Sequence, residues 1–251
     1  MIRLRPAAER GRTRFDWLDS RHTFSFGDYH DARHMGFRSL RVINDDIVDP
    51  GTGFGTHPHR DMEILTLVLD GALEHKDSTG AAGVIRPGDI QRMSAGTGIR
   101  HSEYNHSKTE PVHFLQIWII PEARGLQPGY AQVHIPADER RGRLRLLASR
   151  DGRDGSVSIN QDATVHTALL EPGRKVEHAI ARGRGAWVHV ASGTARIGDQ
   201  PLGPGDGAVV EDEPRIVVTG VEATVTGVAG AAAAGSASDA DPAEILIFDL
   251  A

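Results

Sequence analysis

Apolar and polar positions follow one another along this chain in short blocks, with turn-forming residues between them. Ser39 to Val48 alternates in part and predicts a strand. Met62 to Leu69 and Val112 to Ile120 are nearly continuous apolar runs, which predicts strands buried on both faces. Between them lie Asp70-Gly71, Asp77 to Gly83, Pro87-Gly88-Asp89 and Ala95 to Gly98, each a turn signal. Short strands at such spacing predict a sandwich or barrel and not βαβ units. The opening segment sets Phe15, Trp17, Phe24, Phe26 and Tyr29 among charges. It reads as an arm or first strands packed over that barrel, with a ligand-binding role as the alternative.

After Pro121 the pattern loosens through Gly125, Pro128, Gly129 and Pro136, then restarts. Trp187 to Ala195 echoes Leu67 to Leu73, and Gly203-Pro204-Gly205-Asp206 echoes Arg86-Pro87-Gly88-Asp89. The offset is roughly 120 residues, the trace of a duplicated unit. The expectation is two β domains, residues 1–133 and 134–251, with the charged stretch Ala137 to Gly142 exposed near the boundary. Ala229 to Asp241 is rich in Ala, Gly and Ser and reads as a flexible loop. Ile245 to Phe248 reads as a final strand.

Composition changes this picture in two ways. The chain has 251 residues, with 29 Gly and 13 Pro scattered as punctuation, and no Cys. Disulfides, thiolate ligands and cysteine nucleophiles are therefore excluded. A formal charge of −6 argues against broad electrostatic binding to nucleic acid. The N-terminus lacks an apolar core of signal-peptide length, and Phe114 to Ile120 is too short to span a bilayer. The default expectation is a cytoplasmic protein with no direct nucleic-acid or membrane partner.

The candidate chemistry lies between Gly51 and Asn105. His57 and His59 are separated by one residue, as are His101 and Glu103. On a strand, residues i and i+2 share a face. If the two segments face each other inside a small barrel, three imidazoles and one carboxylate converge, a set that suits a borderline divalent metal with positions left open. Glu63 competes as the carboxylate, because it would share the histidines' face in an uninterrupted strand. At the duplicated offset the second half offers only His178, then Val217-Val218-Thr219-Gly220, so that unit is expected to be metal-free. His22, His30, His34, His75, His106, His113, His134, His166 and His189 lack paired spacing and are assigned to surface or core, with His113 held open because its strand would cross the barrel.

The order Gly51, five residues, His-x-His, three residues, Glu63, Gly71, and later Gly88, His101, three residues, Asn105, resembles the two motifs of the cupin superfamily. Ser94 stands where the second motif usually has Pro. Phe15 to Phe26, Met35 to Asp46, Thr56 to Glu63, Gln91 to Gly98 and Pro111 to Trp118 resemble, more closely, the pirin family. That resemblance covers the first half and fades after about Pro121. It implies an all-β bicupin, two jelly-roll-like barrels in one chain, with one divalent metal ion bound by His57, His59, His101 and Glu103. Iron leads the candidates, with manganese, cobalt, nickel, copper and zinc behind it. The implied activity is that of a quercetin 2,3-dioxygenase, cleaving a flavonol with O2 while Glu103 serves as ligand and general base. The alternative implied by the family is a metal-dependent transcription co-regulator or enzyme modulator acting through a protein partner. Metal binding is expected to weaken below roughly pH 6, as protons compete for imidazoles.

Overall fold

A computed structural model describes residues 1–222 and 242–251. The expected loop Ala229 to Asp241 lies outside the described residues. Each half is a sandwich of two sheets, one of seven strands and one of four. In the first half the large sheet runs, edge to edge, Gly129–His134, Asp89–Ser94, Glu63–Asp70, Val112–Ile119, Leu40–Val48, Leu18–His22 and Gly11–Phe15. The small sheet runs Gly53–His59, Ile99–Asn105, Leu73–Asp77 and Ala82–Ile85. The second half repeats the plan, with Lys175–Ala179, Arg215–Gly220, Ala195–Ile197 and Gln200–Leu202 as its small sheet. Pairing is antiparallel throughout these sheets except between Arg145–Ser149 and Val157–Ser158. The sheets stay open at their edges, so each half is a jelly-roll sandwich and not a barrel closed by hydrogen bonds.

Burial explains the hydrophobic pattern. Leu18, Val48, Val68, Val112 and Phe114 of the first large sheet pack with Leu73 and Ile85 of its small sheet. On the opposite face of that large sheet Leu40, Ile43, Leu65, Leu115 and Ile117 join a cluster with Leu147, Val165, Trp187, Leu246 and Phe248 of the second half. The two large sheets therefore lie back to back, and their central strands are buried on both faces. Each fully buried Leu, Ile or Phe contributes about 1.5–3 kcal/mol relative to an exposed one. This is why Glu63–Asp70 and Val112–Ile119 carry almost unbroken apolar runs although their sheet is antiparallel. The small sheets have one solvated face, and Ile99–Asn105 accordingly alternates buried with more exposed positions.

Two details depart from the sequence reading. Ile2–Arg5 pairs with Gly207–Val210, so the first strand of the chain belongs to the sheet of the second half and ties the halves together. Ala137–Arg140 forms a single helical turn, and its Arg140 is buried against Glu244 at 2.5 Å instead of being exposed. Among the described residues no helix is long and apolar enough to cross a membrane.

Candidate metal centre

The four-stranded sheet of the first half assembles the site. Ile99–Asn105 is its second strand, and the register places His101 opposite His57 on one side and Asp77 on the other. Glu103 stands opposite Phe54 and His75, with a register shift between His101 and Glu103 along the Gly53–His59 side. The two motif segments are thus hydrogen-bonded neighbours in one sheet, not segments facing each other across a barrel. Alternation does the rest: His57 with His59, and His101 with Glu103, all present the inner face.

The three rings lie 4.4 to 4.8 Å apart, centroid to centroid. One ring nitrogen from each of His57, His59 and His101 falls within 4.8 Å of the other two, and the same holds for the donor atoms of His75, His101 and Glu103. His57 donates its Nδ1–H to the Gly55 carbonyl at 2.8 Å, which leaves Nε2 bare. Nε2 of His59, Nε2 of His101 and Oε1 of Glu103 are buried with no hydrogen-bond partner. Buried polar atoms without partners are costly and rare. Two imidazole nitrogens and one carboxylate oxygen left in this way, with the bare Nε2 of His57 beside them, fit a divalent cation, which would take lone pairs that nothing else in the fold accepts.

Electrostatics sharpen the fit. Burial, with the neighbouring His57 adding to it, lowers His59 to about 4. Burial and the other imidazoles lower His101 to about 2. Both rings are therefore neutral at physiological pH, as ligands must be. Burial pushes Glu103 up to about 7, aided by the charge of Asp46 and opposed by the bond from Gln116. Gln116 Nε2 donates to Glu103 Oε2 at 2.8 Å, and Trp118 Nε1 donates to Gln116 Oε1 at 3.3 Å, so the carboxyl is held with Oε1 free. The edge of Trp118 meets the His59 ring at a centroid distance of 5.0 Å.

Glu63 is placed elsewhere. Asp61 adopts a left-handed conformation at φ 48°, which ends the strand after His59, and Glu63 begins a strand of the large sheet. Its Oε2 accepts from Ser94 Oγ at 2.7 Å and its Oε1 from Asn160 Nδ2 at 3.0 Å. The uninterrupted strand that would have put Glu63 beside the histidines does not exist, and both its oxygens are engaged.

In front of His57, His59 and Glu103 opens a cavity of about 480 Å³. Its walls include Phe15, Trp17, Phe26, Phe54 and Trp118, and its polar floor includes His57, His59, Glu103, Gln116 and Asp46. The opening segment, expected mainly as packing, thus forms one wall of the cavity. Asp46 is buried, its Oδ1 has no partner, and burial raises it to about 7. His113, held open above, bonds Asp45 at 2.6 Å and is not in this cavity wall.

Sequence reasoning passed over Asp46, Gln116 and the pair His75/Asp77. The last has the same i, i+2 spacing as the two pairs it did select, and applying that signal to Glu74-His75-Lys76-Asp77 would have found it. Asp46 and Gln116 carry no local signal beyond being polar positions within apolar strands.

The Pirin family profile matches residues 4–119, and that of the quercetinase C-terminal cupin domain matches residues 146–226. A quercetin 2,3-dioxygenase of Escherichia coli is 44% identical over 250 residues, covering 100% of this chain and 99% of that protein. A pirin-like protein of Caulobacter vibrioides is 40% identical over 88% of this chain and 96% of its own length. The crystal structure of the bacterial pirin YhhW from Escherichia coli in complex with nickel(II) superposes with a TM-score of 0.87 at 44% identity, covering 100% of this chain and 99% of that one. Sequence, two-sandwich fold and full-length similarity agree: this chain belongs to the pirin family.

Proposed function

We propose that the chain is a metal-dependent dioxygenase that cleaves a flavonol such as quercetin with O2, and that one divalent metal ion is held by His57, His59, His101 and Glu103. The observation that carries the reading is the cluster of His57, His59 and His101 beside an aromatic-walled cavity whose floor includes His59 and Glu103, each with a buried, unpartnered donor atom. The cavity, about 480 Å³, has the size of a small-molecule site. Full-length similarity to a protein named quercetin 2,3-dioxygenase supports the substrate class.

When bound, the metal would act as a Lewis acid on a substrate hydroxyl oxygen and lower its pKa. The chain's own residues do the remainder. Glu103, raised to about 7, takes the flavonol 3-hydroxyl proton at a carboxylate oxygen, near the pH at which a base is most effective. Gln116 fixes the orientation of that carboxyl through its other oxygen. Phe15, Trp17 and Phe54 form a connected aromatic wall, with centroids 6.3 and 5.1 Å apart, that stacks a planar ring system and excludes water from the flavonolate. The electron-rich flavonolate is then consumed by O2.

The test is oxygen uptake by protein loaded with each of iron, manganese, cobalt, nickel, copper and zinc in turn. Oxygen loss should match quercetin loss, with carbon monoxide released. Absence of uptake with any metal and any flavonol would sink the reading and favour a regulator acting through a protein partner.

A further inference from the structure

Beside the four proposed ligands lies a second line of polar groups that the reaction does not use. His75 and Asp77 occupy Leu73–Asp77, the strand on the other side of Ile99–Asn105, and share its inner face with His101 and Glu103. His75 is fully buried, and the Asp77 side chain is as well. The rings of His75 and His101 lie 5.3 Å apart, with their Nδ1 atoms at 3.4 Å. His75 Nε2 lies 3.2 Å from Asp77 Oδ2.

Hydrogen-bond direction along this line can be worked out from one end. An ionised carboxylate only accepts, so His75 carries its proton on Nε2 and donates it to Asp77. The Nδ1 of a neutral His75 is then bare and accepts from His101, which must carry its own proton on Nδ1. That leaves His101 Nε2 bare, and it is the Nε2 of His101 that has no partner in the fold. The line is fixed at both ends. Asp77 Oδ1 accepts from Thr79 N at 2.8 Å, Thr79 Oγ1 at 2.6 Å and Ala81 N at 3.2 Å. The ring of Tyr130, from the opposing large sheet, stacks on His75 at 4.9 Å and 29°, and its hydroxyl donates to Gln132 at 2.7 Å.

We propose that Asp77 and His75 are positioning residues that act through His101, holding it in the tautomer whose Nε2 faces the metal centre. A histidine ligand is usually oriented by a single acceptor on its other nitrogen. Here one imidazole is interposed, and the acceptor is a carboxylate at the end of the strand Leu73–Asp77, where the turn to Ala82–Ile85 begins. The inference rests on His101 being a ligand, and the test separates the two claims.

Asp77→Asn is the informative change. The turn bonds on Oδ1 keep the amide oxygen where it is, so the new NH2 faces His75. His75 Nε2 must then accept, its Nδ1 must carry the proton, and that proton points at His101. His101 is forced to place its proton on Nε2. The tautomer is read directly in metal-free protein from the ¹⁵N shifts of its ring nitrogens, and nickel(II) affinity by competition with a chelator. The parent should show His101 protonated on Nδ1. Asp77→Asn should move it to Nε2 and weaken nickel(II) binding by about 10- to 100-fold. Adding His75→Phe removes the misdirected donor while keeping a ring beneath Tyr130, and most of the lost affinity should return, a non-additive result. An unchanged tautomer, a dissociation constant within about twofold of the parent, or a loss that His75→Phe does not relieve would overturn the proposal. If Asp77→Asn does not fold, His75→Phe alone decides it: mixed His101 tautomers are expected, and a pure Nδ1–H form contradicts the relay. Retention of nickel(II) by His101→Ala would instead overturn the ligand reading, whatever the tautomer.

Discussion

The two halves of this molecule share a plan and differ in what their inner faces do with polar groups. In the first half, Nε2 of His59, Nε2 of His101 and Oε1 of Glu103 lack protein partners, and the donor atoms of His57, His59 and His101 lie within 4.8 Å of one another. In the second, His178 lies on the strand Lys175–Ala179, in the counterpart of the strand bearing His57 and His59. Its ring meets that of His166 at 4.9 Å, but its Nε2 bonds Asp249 at 2.7 Å. Asp249 also accepts from Arg184, which reaches Asp162 at 2.9 Å. The opposite strand, Arg215–Gly220, supplies Ile216 across from His178 and no ligand. Of this second set only His166 Nδ1 lacks a partner. A duplicated scaffold thus carries histidines in both copies. What separates a candidate metal centre from a closed ion-pair cluster is whether lone pairs have been satisfied internally.

The largest effect that could break this comparison is loss of metal. His57→Ala, His59→Ala or His101→Ala should reduce metal content from about one ion per chain toward none, while His178→Ala should leave it unchanged, as read by elemental analysis. The reverse pattern would place the centre in the wrong half.

Next come the two carboxylates. Glu103→Gln removes the proposed anionic ligand and base together, and base loss alone typically costs about 10²- to 10⁴-fold in rate. Glu63→Gln should retain the metal and turn over with a loss no larger than about 10- to 100-fold. Its cost should appear in stability, about 1–3 kcal/mol, because it disturbs the bonds from Ser94 and from Asn160 of the other half. Oxygen uptake at equal metal loading and a denaturant titration check both.

The pH dependence is predicted to differ from that of ordinary imidazoles. His59 and His101 sit at about 4 and 2, so protons compete for them only in acid. Glu103, the proposed carboxylate ligand, sits at about 7 and would have to lose its proton to bind metal. Affinity should therefore begin to fall as pH drops through about 7, by up to about tenfold per unit, and not near 6. The sign reverses for the metal-free fold. A carboxyl raised from its ordinary value to about 7 favours the native state at low pH, and that contribution is lost as pH rises from about 4.5 through 7. Dissociation constants and unfolding midpoints across pH 5 to 8 test the two signs, and Glu103→Gln should flatten both.

The smallest effect expected is at the cavity rim. Phe15 is 58% exposed, so Phe15→Ala should raise KM for quercetin by only a few fold and leave metal content alone. A large fall in kcat with unchanged KM would mean that the wall does more than hold the ring system.

Much of this was legible in the chain. The unbroken runs of Glu63–Asp70 and Val112–Ile119 announced burial on both faces, although not that the second face would be the other half of the molecule. The i, i+2 pairs placed His57, His59, His101 and Glu103 on shared faces because strand alternation is local. The sequence left Glu63 and Glu103 unseparated, because the placement of Glu63 is not local: it depends on the break at Asp61, a single left-handed residue that sends the chain to the other sheet. Asp46, Gln116 and the opening aromatics reached the cavity through pairing between distant strands, which single-sequence periodicity does not encode. Tertiary burial, likewise, and not residue type, lowers the imidazoles of His59 and His101 and raises the carboxyl of Glu103.

The central claim is that one metal resides in the first half, on the donors that the fold leaves unpartnered. Anomalous diffraction from crystals of protein loaded with a single divalent metal tests it most directly. One strong peak per chain is expected, in coordination contact with Nε2 of His57, His59 and His101 and with a Glu103 oxygen. A peak beside His166 and His178, or beside Glu63 with Glu103 turned away, would contradict it.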